Sequence, residues 1–129
     1  MILGVYIVNE AGETMGALSI SKLDIDDALF GGFLSAIQMF SQQMSGKPVK
    51  ELSMENYRLI ISEFKAGYVV TVHDRDDKDA VELSMKVKKI VDDELYGIVT
   101  DDFLELLKNA VMSEASAMER ADEWASKML

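Results

Sequence analysis

The chain has 129 residues, of which 49% are hydrophobic and 28% charged, values typical of one globular domain that buries its own core. Its formal net charge of −10 disfavours nucleic acid and anionic membrane surfaces as partners, because both carry negative charge themselves. The absence of cysteine excludes disulfides and Cys-ligated metal centres, and no apolar run approaches the roughly 18 residues of a membrane span. We therefore expect a cytoplasmic protein without a targeting leader and without direct membrane insertion.

The first third of the chain predicts two strands and a helix. Ile2–Asn9 is short, apolar and β-branched, which is typical of a buried strand that enters a hairpin. Glu13–Ile20 is the weaker returning strand, expected at a sheet edge. Ala28–Ser45 has apolar residues at steps of three and four and predicts a long helix, which Gly46 and Pro48 end.

The predicted first helix is apolar over a broad face and contains two adjacent glycines. We expect its core contacts to come from one apolar stripe, packed against Leu59 or Ile60 and against Val69 or Val70: Leu29, Phe33, Ile37 and Phe40. Each of Gly31 and Gly32 costs about 1 kcal/mol of helix stability relative to alanine. The pair therefore predicts close approach of this helix to a neighbouring element.

The remainder of the chain predicts three strands followed by two helices. Val49–Met54, Tyr57–Lys65 and Tyr68–His73 form an antiparallel meander. Helical periodicity then runs over Asp77–Leu95 and Asp101–Leu129. The predicted element order is β-β-α-β-β-β-α-α.

This order predicts an α+β fold with one antiparallel sheet. Joining the most apolar strands at the centre gives the strand order 2-1-5-4-3, with the weaker strands at both edges and the helices packed on the sheet. We expect residues 1–96 to form the domain. Residues 97–129 are expected to form a C-terminal helical extension that packs on the domain or on a partner.

Two segments carry a resemblance to a known group of domains. Leu29–Gln38 (LFGGFLSAIQ) is similar to the start of the first helix of longin-like and roadblock domains of the profilin-like group. Leu52–Asp74 resembles the block from strand 3 to strand 5 of the same domains, and the resemblance covers about residues 1–95. It implies a non-catalytic docking or regulatory platform for a small GTPase or a sister subunit, with no cofactor, and it allows an archaeal source. Such domains commonly form homodimers or heterodimers.

Two acidic segments are candidate metal sites. A calcium loop that starts at Asp74 needs Gly at its sixth position and Glu at its twelfth, where the sequence has Asp79 and Met85. A solvated turn with helix-capping acids is therefore favoured there. The segment that contains Asp24, Asp26 and Asp27 precedes a helix, and N-capping is favoured over a magnesium or phosphotransfer site.

The remaining candidates for chemistry are few. His73 beside Asp74 is a possible general base, but the sequence indicates no nucleophile, so we expect no catalytic residues. Gly31–Gly32 lacks the spacing and the lysine of a phosphate-binding loop. We therefore expect no metal and no nucleotide.

Candidate partner-binding residues lie on the last two predicted helices. Lys86, Lys88 and Lys89 are the one basic cluster and could dock an acidic partner, although a solvated helix face is favoured. The final helix is long and exposes Met118, Trp124 and Met128 on one side, which predicts a homodimer or a heterodimer. The alternative function is a small-molecule sensor with a pocket between sheet and helix.

Overall fold

The computed structural model describes residues 1–21 and 23–113 of the chain. Within these residues it contains five strands and three helices: β1 (Ile2–Asn9), β2 (Thr14–Ser19), α1 (Asp27–Ser45), β3 (Glu51–Ser53), β4 (Tyr57–Phe64), β5 (Gly67–Asp74), α2 (Ala80–Glu94) and α3 (residues 101–113). The predicted α+β class and element order are therefore confirmed. None of the helices in this part of the chain is long and apolar enough to cross a membrane.

The strands form one antiparallel sheet in the order β2-β1-β5-β4-β3, as predicted. The two most buried strands, β1 and β5, lie side by side at the centre, where for example Val5 pairs with Thr71. The edges are weaker, because β2 is only half-buried and β3 has three residues that pair with Arg58–Ile60 of β4. Short or polar edges limit unwanted strand addition.

Helices cover both faces of the sheet. Because alternate residues of a strand point to opposite faces, β1 and β5 supply two separate cores. The core under α2 and α3 contains Val5, Ile7, Val69, Leu83, Val87, Val91, Phe103, Leu107 and Val111. The core under α1 contains Tyr6, Val8, Phe30, Leu34, Leu59, Ile61, Val70 and Val72.

The stripe of α1 that faces the sheet differs from the predicted one. Leu59 and Val70 are buried as expected, but α1 contributes Phe30 and Leu34 to this core. Along the helix the buried stripe is completed by a glycine and a glutamine, so that it reads Phe30, Gly31, Leu34 and Gln38. The predicted residues Leu29, Phe33 and Phe40 are exposed, and Ile37 is half-buried, so this prediction was wrong by one position around the helix.

Two contacts explain the rotation of α1. A Cβ atom at Gly31 would lie 2.3 Å from the carbonyl oxygen of Gly12, so the helix backbone rests directly on the β1–β2 turn. The Gln38 side chain donates to the Val49 carbonyl at 3.1 Å and accepts from the Val49 N–H at 2.7 Å. Gly32, by contrast, faces open space. Close approach is therefore confirmed for Gly31 and wrong for Gly32.

The helices after β5 differ from the prediction at their ends. α2 begins at Ala80 rather than Asp77, because the Asp77 carboxylate folds back into the protein and bonds to His73. α3 begins after Thr100, whose hydroxyl accepts from the Phe103 N–H at 3.1 Å. Residues 114–129 of the predicted final helix lie outside the described residues. The division into residues 1–96 and 97–129 stays a prediction.

Candidate functional site

One side of α1 presents an exposed apolar surface. Leu29, Phe40 and Met44 are 70%, 65% and 72% exposed, and Phe33 is exposed between them. These residues are four or seven positions apart, so they lie on one face of the helix, beside the stripe that is buried. We name Leu29, Phe33, Phe40 and Met44 the α1 surface. Exposed apolar patches with aromatic residues are typical of protein-binding sites.

A groove of about 440 Å³ continues the α1 surface toward the sheet. Its floor is formed by buried residues of both layers, Phe30 of α1 and Leu59 and Val72 of the sheet. Its walls are mostly apolar: Leu23, Ile25, Leu29, Phe33, Met54 and Tyr57. Asp24 is the charged side chain among the described residues of the lining. The groove exists because the extended segment before α1 and the β3–β4 turn stand on either side of the helix end.

Acidic residues surround the N-terminal end of the α1 surface. The Asp26 carboxylate accepts a hydrogen bond from the Leu29 N–H at 2.8 Å and caps the helix, which confirms the predicted capping role. Asp27 lies in the first turn, and Asp24 lines the groove. The carboxylate of Asp26 is thus engaged by the helix end, and the rim of the groove is negative.

A buried polar network ties β5 to the turn before α2. His73 is 0% exposed, and its Nδ1–H donates to the Asp77 carboxylate at 3.0 Å. Its Nε2 accepts from the Thr71 hydroxyl at 2.8 Å. The same Asp77 oxygen accepts from the Met1 α-ammonium group at 2.5 Å, and its other oxygen accepts from the Asp79 N–H at 3.0 Å.

Burial and these hydrogen bonds set the charges in the network. Burial lowers the pKa of His73, since it outweighs the opposing effect of the Asp77 carboxylate, and the imidazole is neutral. Burial also opposes ionisation of Asp77, but the bonds from the Met1 ammonium, Asp79 and His73 outweigh it and lower its pKa. The network is therefore a neutral imidazole held against an ionised carboxylate.

The hydrogen bonds from Thr71 to His73 and from His73 to Asp77 connect these residues in the order of a nucleophile, a base and an orienting acid. Thr71 and His73 are both fully buried, so a substrate has no access to the hydroxyl or the imidazole. The predicted pairing of His73 with Asp74 is also wrong. Asp74 is exposed at the end of β5, and the carboxylate that bonds to His73 is that of Asp77. The geometry gives this network a structural role.

The predicted basic cluster lies on more than one side of α2. Lys86 contacts Glu82 at 3.7 Å and lies against α3, next to Ala110 and Val111. Lys88 bonds to Asp92 at 2.7 Å and lines a different depression, between α2 and β4. Lys89 is exposed. The other predicted partner-binding residues, Met118, Trp124 and Met128, lie outside the described residues.

Sequence reasoning missed the α1 surface and its groove. The sequence did contain a signal for this surface, because α1 has apolar residues on more of its circumference than one sheet face can cover. Assigning Leu29, Phe33 and Phe40 to the core hid that excess. Met54 and Tyr57 gave no signal, because their place beside α1 depends on the β3–β4 turn.

Comparison with known proteins finds structural neighbours but no match by sequence. No protein-family model matches the sequence, and no curated protein matches it. Among solved structures the chain is similar to Myxococcus xanthus MglB, with a TM-score of 0.48 and 16% sequence identity. The match covers 66% of this chain and 75% of that chain. The fold described above follows from this chain's own strand order and packing.

Proposed function

We propose that the chain is a non-catalytic protein-interaction module that docks a protein partner through the α1 surface. The partner that this surface fits best is a like subunit, either a second copy of the chain or a sister domain. The resemblance to longin-like and roadblock domains adds a small GTPase as the client of the assembled platform. In this proposal the protein works in the cytoplasm, and residues 97–129 form its C-terminal extension.

One observation supports this proposal above all: α1 leaves Leu29, Phe33, Phe40 and Met44 in water although the core beneath it is filled. Removing large apolar side chains from water is the main favourable term of association, at roughly 25 cal/mol per Å². Aromatic side chains with a neighbouring groove are also the usual anchors of protein interfaces. A partner that covers α1 would bury both the surface and the groove.

The groove also raises the alternative of a small-molecule sensor. Its volume of about 440 Å³ falls within the range of ligand pockets, roughly 300–1,000 Å³. Ligand pockets normally contain several convergent polar groups, whereas the described residues that line this groove supply the Asp24 carboxylate and the Tyr57 hydroxyl as polar side-chain groups. The lining therefore suits an apolar side chain of a partner better than a polar metabolite.

The proposal is tested by the association state of two matched variants. Phe40→Glu places a charge on the α1 surface, and Ile98→Glu places one at an equally apolar, exposed position between α2 and α3. We expect Phe40→Glu to weaken self-association, measured by light scattering, by about tenfold or more, because a charge would be desolvated in the interface. Ile98→Glu should leave it unchanged.

Three results separate the alternatives. A wild-type chain that is monomeric at high micromolar concentration would exclude the second copy and leave a sister domain, which is tested by co-expression with the same variants. Equal association of wild type and Phe40→Glu would contradict the proposed surface. Binding of a small apolar probe in the groove, with no effect of Phe40→Glu on association, would support the sensor instead.

A further inference from the structure

A second depression lies on the opposite face of the sheet, between α2 and the β3 edge. Its volume is about 520 Å³. Three segments line it, the chain before β3, the middle of β4 and the outer side of α2: Pro48, Val49, Lys50, Ile60, Ile61, Ser62, Glu63, Val81, Ser84, Met85 and Lys88. We name this depression the α2 trough. Among the described residues, it shares no lining residue with the groove beside α1.

The trough exists because β3 is short. β3 pairs with Arg58–Ile60 only, so the following part of β4 has no strand partner on that side among the described residues. The chain before β3 does not extend the pairing beyond Lys50, whose carbonyl accepts from the Ile61 N–H at 2.9 Å. Val49 is instead bonded through its backbone to Gln38 on the other side of the sheet.

Apolar side chains on α2 face this uncovered part of the sheet. Val81 and Met85 are one helical turn apart, and Met85 is 66% exposed. Ile60 of β4 is half-buried opposite them and points to the same face of the sheet. Methionine adapts to partners of different shape, because its side chain is flexible and polarisable. The trough thus offers an apolar strip between a helix and a strand.

The charges at the rim distinguish this strip from the α1 surface. Lys50 stands on one wall and Lys88 on the other, with Glu63 as the acid of the lining. The ion pair of Lys88 with Asp92 is on the surface, and such pairs contribute roughly 0–1 kcal/mol, so a ligand carboxylate can replace Asp92 readily. The lining therefore has two lysines against one glutamate, a net charge of +1 on a chain whose net charge is −10. The groove beside α1 has an aspartate at its rim instead.

We propose that the α2 trough docks an acidic amphipathic segment of a partner protein. Apolar side chains of that segment would contact Val81, Met85 and Ile60. Its carboxylates would face Lys50 and Lys88. This inference goes beyond the proposed docking at α1, because it gives the domain a second, separate partner site and a bridging role.

Two synthetic peptides test the chemistry. The first is a helix-forming peptide of about 15 residues, with Leu at i, i+4 and i+7 and Glu beside them; the second carries Lys in place of every Glu. The readout is the perturbation of backbone amide signals of the full chain in ¹H–¹⁵N NMR spectra. We expect the acidic peptide to perturb residues 60–63 and 81–88, and the basic peptide to leave them unperturbed.

Variants locate the binding. The double variant Lys50→Glu, Lys88→Glu should bind the acidic peptide about tenfold more weakly, because two electrostatic attractions become repulsions. Met85→Gln should also weaken its binding, whereas Met39→Gln on α1, at a methionine that is 65% exposed and outside the α1 surface, should have no effect. Because neither Met85 nor Met39 belongs to the α1 surface, either proposal can fail alone.

Three outcomes would overturn the inference. The first is the absence of any perturbation by the acidic peptide at millimolar concentration. The second is binding that Lys50→Glu with Lys88→Glu leaves unchanged. The third is perturbation of α1 rather than α2, which would place acidic segments on the other face of the sheet.

Discussion

At the scale of single residues, the most constrained group is the imidazole of His73. Its two nitrogens are both hydrogen-bonded, to Thr71 and Asp77, and the side chain is fully buried. A neutral imidazole satisfies both partners, since Nδ1 donates to the carboxylate and Nε2 accepts from the hydroxyl. A proton added at Nε2 would remove that acceptor and place a second charged group in a buried site. The environment therefore selects one protonation state.

This selection predicts how stability depends on pH. The pKa of His73 is lower in the fold than in the unfolded chain, so between these two values the unfolded chain binds more protons. Stability should therefore rise as pH increases through this window and should be fully present above the ordinary pKa of histidine. Each unit of lowering corresponds to about 1.4 kcal/mol.

The measurement is the free energy of unfolding by urea at several pH values, for wild type and His73→Gln. The variant should be less stable at neutral pH and should lack the rise with pH in the histidine window. The pKa of Asp77 is also lowered, so stability is lost at lower pH, where this carboxylate is protonated. We expect this loss at acidic pH to persist in His73→Gln. An unchanged pH profile of the variant would show that His73 titrates normally.

At the scale of elements, α1 shows what patterning determines and what it leaves open. Its ends were predictable, because Asp26 and Gly46 are local caps whose role depends on neighbouring backbone. Its buried face was not, because the stripe that packs contains Gly31 and Gln38, which carry no hydrophobic signal. A glycine that fits a turn and a glutamine that binds a loop backbone depend on contacts distant in sequence. The strand order, in contrast, followed from which strands are most apolar.

The docking of α1 on the β1–β2 turn gives a matched pair of substitutions. Gly31→Ala would place its Cβ against the Gly12 carbonyl and should destabilise the domain by about 1–3 kcal/mol, the range of core overpacking. Gly32→Ala meets no atom within 4 Å and should stabilise it by roughly 0.5–1 kcal/mol through helix propensity. Thermal unfolding of both variants measures the contrast. Equal shifts of Tm for the two would mean that α1 does not rest on the turn through Gly31.

At the scale of the whole molecule, the sheet separates two apolar sites of different charge. The α1 surface lies near Asp24, Asp26 and Asp27, and the α2 trough lies between two lysines. Each proposed partner therefore meets a different electrostatic field. A second copy of the chain brings another net charge of −10 to the α1 surface, whereas an acidic segment meets local positive charge at the trough.

The two sites should consequently respond to salt in opposite directions. Raising the ionic strength from about 0.01 M to 0.1 M shortens the Debye length from roughly 30 Å to 10 Å and screens the repulsion between two acidic copies. Self-association through apolar contacts should therefore tighten by a few-fold, measured by sedimentation equilibrium. Binding of the acidic peptide at the trough should weaken over the same range, because screening reduces its attraction to Lys50 and Lys88. If salt instead weakened self-association, ion pairs would hold the copies together, and the apolar α1 surface would not be their interface.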